Sequence, residues 1–596
     1  MLMKIIRDKH GEQLSIVTLE CDYDGTAVLV IDDFVFNGTY NECFDIVVKN
    51  NKKSARSIIT VWTHSINVLF QYLRNIYDME CFAKSKSDIL KIKMVDYNIQ
   101  IRSTQHLTGI TLKDSCELYD IGYNVYSTRN LIKIYYNQFI KTSKIPLTKT
   151  SILKKEIEEE IVKWYLPNSN HTDNFKLYLW YKDANRESAR IHQILQDTFK
   201  GGVVGANKKH LNETLECDSY DMKSAYLYNI LALKYPVTAL YECDINEVET
   251  DDYCYLYYAE IRLCQLNKDI NIPCLSSSYC EYDKREVILD ANGYIQEVYD
   301  VCRFYCTKEE YEQISRCYTR EPKLIRKYKA KADYLPDFIR DYVAKLYNKK
   351  ETETGLLRAI TKQKANSVFG LSSKKTIFSN RDEYVNGKWQ EQELDIIEQL
   401  NKLNRGNIFS IAVGYWITSY QRSTMLKLIY DLEEEGIDVY YTDTDCIKVP
   451  KGKCKEVISE FNKSRRETLQ QNYKRPLAAG LGEFIYEPGK SGKLRMLGSK
   501  IYATQIGNDI ELTIAGLSQD QTTTTLDSIE DFAYGIKFEN AKHIIDMIGD
   551  TKGEYRVISR YVPYKIEQPK PPKREYNKLI VEIEEEKRIN IWKENI

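Results

Sequence analysis

The sequence predicts a multidomain α+β protein. A chain of 596 residues is too long to fold around one hydrophobic core and should divide into several domains. Two kinds of segment are interspersed along it. Residues 439–449 alternate apolar and polar side chains on both sides of a short polar turn, which is typical of a β-hairpin. Residues 151–166 instead place apolar side chains at helical spacing among charged ones.

Composition and charge exclude several classes of protein. The chain carries 85 basic and 86 acidic residues, so it is not coated with positive charge, although a locally basic channel could still bind nucleic acid. Its 15 cysteines form no C-x₂-C pair, which favours reduced thiols over a zinc site. No apolar run is long enough to span a bilayer, and the N-terminus lacks the apolar core of a signal peptide. We therefore expect a cytoplasmic protein without membrane contact.

The N-terminal region is predicted to mix strands and helices. Within residues 1–197 we expect a hairpin around Asp24-Gly25, a strand that enters a helix at 54–77, and a charged amphipathic helix from Ser151. The next segment contains Gly201 and Gly202, and a glycine pair lets the backbone approach a ligand closely. A plain loop explains the pair equally well when it is taken alone.

An acid stands at the junction of a predicted strand and a predicted helix in residues 219–236. Asp221 ends the strand and Tyr226 follows on the helix. In this arrangement the carboxylate can hold a metal ion while the ring closes a pocket. An aspartate that caps the helix is the simpler explanation when no other context is considered.

Two further acids, Asp443 and Asp445, lie at the turn of the hairpin in residues 439–449. Carboxylates so close together on a tight turn repel each other unless a cation lies between them. A solvated turn is the alternative, since Asp and Thr are common turn residues. The flanking apolar strands favour a buried rim, where a divalent metal is the natural counter-charge.

Basic and amide side chains recur every four residues in the helix predicted for residues 355–370. Arg358, Lys362 and Asn366 therefore share one face, which suits the binding of a polyphosphate. Gly370 is predicted to end this helix. A solvated basic face is the alternative, and the aromatic residue and glycine that follow Asn366-Ser367 argue against it.

The remaining elements follow from local patterns. They are a β-rich insert with one helix at about 237–330, a helical region at 333–350, a hairpin at 385–388 followed by an acidic helix, a long amphipathic helix at 408–436, and a further strand within 510–520. The last seventy or so residues are predicted to be helical and charged. A proline-rich break at 567–576 suggests a linker or an extended arm.

Several of these segments, in this order, resemble the motifs of family B DNA polymerases. DMKSAYLY, KQKANSVFG and YTDTDC resemble the three polymerase motifs. FKGGVVGAN resembles the loop between the exonuclease and polymerase domains, LGSKIYATQ resembles a Lys-x-Tyr motif, and AGLSQD resembles the strand after it. The similarity is closest to the protein-primed branch found in small phages with linear genomes. It covers about residues 197–525.

This resemblance implies a right-hand polymerase with palm, fingers and thumb, an N-terminal exonuclease-like domain of the RNase H type, and two insertions. The implied layout is an exonuclease-like domain at 1–197, palm at 198–236 and 405–525, a priming-protein-binding insertion at 237–330, fingers at 331–371, a strand-displacement hairpin insertion at 372–404, and a thumb with a tail at 526–596. The implied partners are template-primer DNA, deoxynucleotides and a terminal priming protein. The implied state is a monomer.

The resemblance also implies roles for single residues. Nucleotidyl transfer uses two metal ions about 3.5–4 Å apart, and the pair would be Mg²⁺, with Mn²⁺ as a substitute. Asp221 and Asp445 would hold both ions, with Asp443 as an auxiliary. The other implied roles are triphosphate contact for Lys350, Arg358 and Lys362, contact with the nascent base pair for Asn366 and Phe369, exclusion of a ribose 2′-hydroxyl for Tyr226, and DNA contact for Gly201, Gly202, Ser367, Gly370, Lys500 and Tyr502.

The chain departs from the family most strongly in its N-terminal region. Two changes in the polymerase motifs are mild: Cys446 for serine and Phe369 for the common tyrosine. A third, Leu371 for lysine, removes one possible DNA contact. The best matches to the three exonuclease motifs are Thr18-Leu19-Glu20, Asn67 to Gln71 and Ile152 to Glu156. In this alignment Thr18 and Gln71 replace metal-binding aspartates. A two-metal hydrolytic site does not survive the loss of most of its carboxylates.

We therefore expect a DNA-templated DNA polymerase that starts on a protein primer and lacks 3′–5′ proofreading. Alternatives are a polymerase repurposed for repair, bypass or defence-type synthesis, a metal nuclease, and a catalytically inactive DNA-binding scaffold. A scaffold has no use for a carboxylate cluster that faces phosphate. A nuclease leaves the helix that carries Lys362 and Phe369 unexplained.

Overall fold

A computed structural model describes most of the chain. The described residues are 15–22, 25–50, 58–74, 76–85, 88–138, 145, 148–165, 187–283, 287–290, 292–378, 380–395, 398–399, 410–517, 522, 526–549 and 555–568. They form three large β-sheets, a two-stranded ribbon and the helices that pack on them. The result is a mixed α/β, multidomain structure with several separate hydrophobic clusters.

The first sheet is built mainly from the N-terminal region. Its elements are β1 (Val17–Cys21), β2 (Thr26–Ile31), β3 (Phe34–Thr39), α1 (Tyr40–Lys49), β4 (Ile59–Thr63), α2 (Ile66–Leu73), β5 (Met79–Ser85), β6 (Asp88–Met94) and β7 (Ile99–Ser103), followed by α3 (Gln105–Thr108), α4 (Leu112–Leu118), α5 (Ser127–Gln138) and α6 (Lys149–Tyr165). β4 lies between β1 and β7 and runs parallel to both. The β1–β2 hairpin, the β4–α2 unit and α6 confirm the three elements predicted here.

Residues 187–334 supply two strands to a sheet that is completed later and then form a second sheet. The first part holds α7 (Ala189–Asp197), β8 (Val204–Ala206), β9 (Thr214–Met222) and α8 (Ala225–Ala232). The second sheet consists of β10 (Lys234–Pro236), β11 (Tyr241–Cys243), β12 (Tyr253–Gln265), β13 (Cys280–Tyr282), β14 (Val287–Leu289), β15 (Ile295–Thr307) and β16 (Lys323–Tyr334), with α9 (Lys308–Cys317) beside it. The predicted β-rich insert with one helix is present. Because β16 continues to Tyr334, the helical region does not begin at Asp333.

Two helices follow the second sheet. They are α10 (Asp337–Thr352) and α11 (Gly355–Ser372). α11 passes through Gly370, so the prediction that this glycine ends the helix is wrong. A single glycine costs a helix about 1 kcal/mol, which packing of the buried residues Ala365 and Val368 offsets.

A hairpin from the middle of the chain completes the first sheet. β17 (Asn380–Val385) and β18 (Lys388–Glu393) are joined by Asn386 and Gly387, whose φ values of 52° and 77° are those of the predicted primed turn. β17 pairs with β5, and the Tyr384 ring contacts Phe70 with centroids 5.0 Å apart. Local pattern did not predict this pairing. The acidic helix predicted after the hairpin falls mostly outside the described residues.

The third sheet combines β8 and β9 with strands from the second half of the chain. The later elements are α12 (Ile411–Glu434), β19 (Tyr441–Asp443), β20 (Cys446–Pro450), α13 (Lys455–Asn472), β21 (Phe484–Tyr486), β22 (Gly492–Gly498), β23 (Ile501–Ile506) and β24 (Asp509–Ile514). The strand order is β24-β23-β22-β9-β20-β19-β8, with β21 also paired to β9. The predicted hairpin at 439–449 is β19–β20.

α12 is largely buried and keeps a narrow exposed stripe in its C-terminal half, so the predicted amphipathic pattern is present there. Tyr415 and Trp416 belong to one large hydrophobic cluster, and Met425 and Ile429 belong to another. Polar side chains on the intervening faces are buried as well, among them Arg422. The exposed stripe carries Lys427 and Glu434, whose side chains are 64% and 66% exposed.

The C-terminal described segment is a two-stranded ribbon. β25 (Lys537–Gly549) pairs antiparallel with β26 (Tyr555–Lys565), so the prediction of a helical C-terminus is wrong for this stretch. The sequence of β26 is rich in Tyr, Val and Ile, which favour strands. The proline-rich break predicted at 567–576 lies outside the described residues from position 569 onward.

All fifteen cysteines are free thiols, and most are buried, which agrees with the prediction of reduced cysteines. No helix among the described ranges combines the length and apolar character needed to cross a bilayer.

Candidate active site

Strand pairing brings Asp221 and Asp445 to the same edge of the third sheet. β9 pairs with β20 so that Asp221 stands opposite Cys446, the residue after Asp445. The Met222 N–H donates to the Asp445 carbonyl at 2.7 Å and joins the end of β9 to the hairpin turn. Two acids far apart in the sequence thus become neighbours.

The turn between β19 and β20 packs against residues 200–203, the segment before β8 that contains Gly201 and Gly202 and is called the glycine loop below. Thr444 adopts a φ of 61°, in the left-handed region that β-branched residues rarely occupy. Gly202 packs directly against it, because a Cβ atom at Gly202 would lie 2.7 Å from Thr444 atoms. The Thr444 N–H also donates to the Val203 carbonyl at 2.7 Å. The close approach that the glycine pair predicted is therefore made to the turn carrying Asp443 and Asp445.

Burial and mutual repulsion shape the ionisation of the acids. Desolvation, together with the charges of Asp221 and Asp443, raises the pKa of Asp445 to about 7. Desolvation and the nearby Glu487 also raise the pKa of Asp221. These carboxylates are stable in their ionised forms only beside a cation.

The donor set at this edge fits a divalent metal ion. Ligand atoms of Asp221, Cys446 and Glu487 lie within 4.8 Å of one another. Burial raises the pKa of Cys446 to about 11, so its thiol stays protonated at neutral pH and the carboxylate oxygens are the better ligands. Oxygen ligands suit Mg²⁺ and Mn²⁺. Sequence reasoning missed Glu487, which precedes a short 3₁₀ turn and belongs to no recognised motif.

Asp443 is engaged differently from the other two acids. The Lys500 ammonium lies 3.1 Å from its carboxylate, and the Thr444 hydroxyl donates to it at 3.1 Å. Tyr502 packs against Tyr441 with ring centroids 4.8 Å apart. Lys500 and Tyr502, at the start of β23, therefore pack against the acid-bearing hairpin. Their contact with a primer strand stays a prediction.

Arg358, Lys362 and Asn366 lie on one exposed face of α11, as their spacing predicted. The positive charge of Lys362 acts on both Asp221 and Asp445 and lowers their pKa values against the larger effect of burial. A lysine that acts on both carboxylates is suitably placed for a metal-bound polyphosphate.

Ser367 and Gly370 lie further along α11. The Ser367 hydroxyl donates to the Gln363 carbonyl at 2.8 Å within the helix. A Cβ atom at Gly370 would meet no atom within 4 Å, so space is open beside it. Contact of either residue with DNA stays a prediction, as it does for Gly201.

Tyr226 and Phe369 form a stacked pair between α8 and α11. Their ring centroids are 4.3 Å apart, and the ring planes are inclined by 26°. Burial and the charge of Asp445 raise the pKa of Tyr226 to about 12, so the phenol keeps its proton at neutral pH. The pair forms a flat wall close to the acids, on the two elements that the sequence motifs indicated.

Lys350 is buried and supports the turn after Asp221. Its ammonium donates to the Ser224 hydroxyl at 2.7 Å and lies 3.1 Å from Glu351. Ser224 has a φ of 54°, so this hydrogen bond holds a strained residue in place. Contact of Lys350 with a triphosphate stays a prediction.

Glu20, the acid kept in the first exonuclease-like match, is committed to hydrogen bonds within the protein. Its carboxylate accepts from the Thr63 hydroxyl at 3.1 Å, the His64 N–H at 2.7 Å and the Thr128 hydroxyl at 2.8 Å. Burial raises the pKa of Glu20 to about 7. Hydrogen bonds within the protein thus occupy both oxygens of the Glu20 carboxylate.

Glu156, the acid of the third exonuclease-like match, is paired with a lysine of another helix. The Glu156 carboxylate on α6 accepts two hydrogen bonds from the Lys364 ammonium on α11, at 3.0 and 3.1 Å. The helix that reaches Glu20 is α5, through Thr128. An acid on a helix is a weak pattern, and only the packing shows which helix faces the strand.

The chain has the fold of a DNA polymerase. Solved structures that it resembles include those of phi29 DNA polymerase. The complex with primer-template DNA and incoming nucleotides is 13% identical, with 93% of this chain and 99% of that chain covered at a TM-score of 0.66. The complex with single-stranded DNA is 12% identical, with 93% and 100% covered at a TM-score of 0.65. No protein-family model and no curated protein sequence matches the chain.

Proposed function

We propose that this protein is a DNA-templated DNA polymerase that extends a 3′-hydroxyl by two-metal nucleotidyl transfer. The observation that carries the proposal is the meeting of Asp221 and Asp445 at one sheet edge, within range of the Lys362 charge. The fold supports it, because phi29 DNA polymerase has been solved with primer-template DNA and nucleotides. A scaffold would leave the desolvated acids unexplained, since burying carboxylates without a cation is costly.

In this proposal the acids bind the metal ions, and the basic face of α11 binds the triphosphate. Bound Mg²⁺ or Mn²⁺ ions would activate the 3′-hydroxyl and neutralise the leaving pyrophosphate. Asp221 and Asp445 hold the metals at the sheet edge, and Asp443 orients the hairpin through Lys500. Lys362 and Arg358 bind the triphosphate from the exposed face of α11.

In this proposal Tyr226, Phe369 and Asn366 contact the sugar and the base of the incoming nucleotide. Tyr226 offers its ring to the deoxyribose and leaves no room for a 2′-hydroxyl. Phe369, stacked on Tyr226, and Asn366, one turn earlier on the helix, line the nascent base pair.

We further propose that synthesis begins on a protein primer and that the two insertions serve it. The resemblance to the protein-primed branch supports this proposal, because the second sheet and the β17–β18 hairpin fall in the two stretches of the chain that the resemblance assigns to a priming-protein-binding insertion and a strand-displacement hairpin. A purified candidate primer, template DNA and one labelled deoxynucleotide should yield a nucleotide joined covalently to a protein hydroxyl. Absence of that adduct with efficient extension of a DNA primer would restrict the proposal to DNA-primed synthesis.

The polymerase proposal is tested by extension of a DNA primer. With Mg²⁺ and four deoxynucleotides, the purified protein should lengthen a labelled primer to the end of its template, in an order set by the template. Extension that ignores the template, or cleavage in place of extension, would contradict the proposal and favour a transferase or a nuclease.

Tyr226→Val is expected to weaken discrimination against ribonucleotides. Removing the ring opens space at the sugar, and lost shape contacts of this kind are worth about 10- to 200-fold in selectivity. The measurement is the ratio of kcat/KM for a deoxynucleotide and its ribonucleotide. Phe369→Tyr keeps the stacked pair and serves as the matched control. An unchanged ratio in Tyr226→Val would assign the gate to another residue.

The N-terminal region is expected to lack proofreading activity. The Glu20 carboxylate accepts hydrogen bonds within the protein. In the sequence alignment to the exonuclease motifs, Thr18 and Gln71 replace aspartates. A mismatched 3′ end incubated with the protein and Mg²⁺ or Mn²⁺, without deoxynucleotides, should remain intact. Degradation that persists in an Asp221→Ala/Asp445→Ala double variant would reveal a second active site.

A further inference from the structure

We propose that Arg422 and Glu310 are a positioning pair that fixes the glycine loop against the acid-bearing turn and thereby sets the geometry of the metal site. The inference rests on the proposed polymerase function and extends it to residues that belong to none of the recognised motifs. Neither residue touches the acids, so both act through the backbone between them.

Arg422 connects three elements from within the protein. Its guanidinium, on α12, donates to the Gly201 carbonyl at 2.9 Å and to the Lys200 carbonyl. On its other side, the guanidinium contacts the Glu310 carboxylate of α9 at 2.7 and 2.8 Å. Arg422 and Glu310 are each 5% exposed. The loop is therefore held by a charge that water does not screen.

The cluster is ionised although it is buried. Burial opposes the ionisation of Glu310, but the charges of Arg422 and Lys200 outweigh it and hold the pKa of Glu310 at about 2. The Lys200 ammonium, 3.8 Å from Glu310, also donates to the Tyr305 carbonyl at 3.3 Å. Apolar residues would fill this space at equal or better stability. The chain keeps the ions, we infer, because they define one arrangement of the loop.

Two contacts carry this arrangement to the acids. Gln421, next to Arg422 on α12, donates to the Thr444 carbonyl at 3.2 Å. Gly202 packs against the same threonine, and Val203 accepts its N–H. The middle of α12 thus holds both the loop and the turn. The distance from Asp443 and Asp445 to the strand that carries Asp221 therefore depends on this part of the helix.

A general packing role for the pair predicts a different result, and the protein contains a matched control. Arg316 on α9 pairs with Asp431 and Glu434 on α12 at 2.9 and 2.8 Å. This second link joins the same two helices but has no contact with the glycine loop. Arg316→Met therefore removes helix-to-helix attraction without disturbing the turn.

The test compares Arg422→Met, Arg422→Lys and Glu310→Gln with Arg316→Met in the full-length protein. Mn²⁺ binding is measured by electron paramagnetic resonance without DNA, and the Mg²⁺ concentration for half-maximal extension is measured with DNA. We expect Arg422→Met and Glu310→Gln to weaken Mn²⁺ binding and to raise the half-maximal Mg²⁺ concentration about tenfold or more. Arg422→Lys should lie between, since lysine cannot span both carbonyls and the carboxylate. The deoxynucleotide KM at saturating Mg²⁺ should change little, and Arg316→Met should match the wild type.

Thermal melting accompanies each variant, because breaking a buried ion pair can unfold a protein. If Arg422→Met does not fold, the isosteric Glu310→Gln and the charge-retaining Arg422→Lys decide the question. Wild-type metal affinity in any folded Arg422 or Glu310 variant overturns the positioning pair, as does an equal loss in Arg316→Met. A wild-type protein that binds Mn²⁺ in an Arg422-dependent way but extends no primer would overturn the polymerase proposal and leave the pair standing.

Discussion

Asp221→Ala and Asp445→Ala are each expected to abolish primer extension while DNA binding stays intact or becomes tighter. Each change removes a carboxylate that we propose holds both metals, and bound metals contribute several kcal/mol of transition-state stabilisation. Since each 1.36 kcal/mol is a factor of ten in rate, extension should fall by roughly 10³-fold or more. Binding is spared because loss of a carboxylate lessens repulsion of the phosphate backbone. Single-turnover extension and fluorescence anisotropy with labelled DNA measure the two effects.

Two other acids of the same segment serve as comparisons. Asp438 lies before β19 and contacts His210 at 3.1 Å, away from the turn, so Asp438→Ala should extend normally. Asp443 is paired with Lys500, and Asp443→Ala should cause a loss smaller than those of Asp221 and Asp445. Near-normal extension by Asp221→Ala or Asp445→Ala would remove the assigned metal site.

Lys362→Met is expected to lower kcat/KM for deoxynucleotides by roughly 10- to 100-fold. A charge-assisted hydrogen bond is worth about 1.5–3 kcal/mol, and methionine keeps the length of the side chain while removing the ammonium. The loss should appear mainly in KM if Lys362 contacts the triphosphate in the ground state, and in kcat if the contact strengthens in the transition state. Steady-state kinetics with one deoxynucleotide separate the two.

Lys364 provides the matched control on the same helix. It lies on the other side of α11 and pairs with Glu156 of α6 at 3.0 Å. Lys364→Met removes the same charge two residues away and should reduce kcat/KM far less than Lys362→Met. Equal losses in the two variants would show that overall charge on α11, and not a specific phosphate contact, is responsible.

The sequence predicted those parts of the site that depend only on a short, continuous segment of the chain. The β19–β20 hairpin follows from apolar alternation around a polar turn, and the shared face of Arg358, Lys362 and Asn366 follows from a spacing of four. The end of β9 at the Asp221 junction was predicted in the same way. Each depends on the conformation of one stretch of backbone, so a local pattern was sufficient.

The features that the sequence did not predict lie where distant segments of the chain pack together. α12 reads as amphipathic, and the two clusters that pack on it leave exposed only a narrow stripe with Lys427 and Glu434, which the sequence did not indicate. The acid of the third exonuclease-like match, Glu156, pairs with Lys364, while α5 reaches Glu20 through Thr128. The β17–β18 hairpin was predicted, but its pairing with β5 was not. The sequence of an edge strand does not indicate which distant strand will pair with it.

The sequence by itself indicated the candidate residues: Asp221 near the end of a strand, Asp443 and Asp445 at a hairpin turn, and a basic helical face, each set by local periodicity and turn preference. Only the tertiary structure decided how those residues combine. It brings Asp221 beside Asp445 and pairs Asp443 with Lys500. It also adds Glu487 to the candidate metal ligands and shows that the glycine loop is hydrogen-bonded to a buried ion pair. The physical reason is that strand register, burial and desolvated charge pairs depend on chain segments hundreds of residues apart, whereas hairpins and helical faces depend on neighbours.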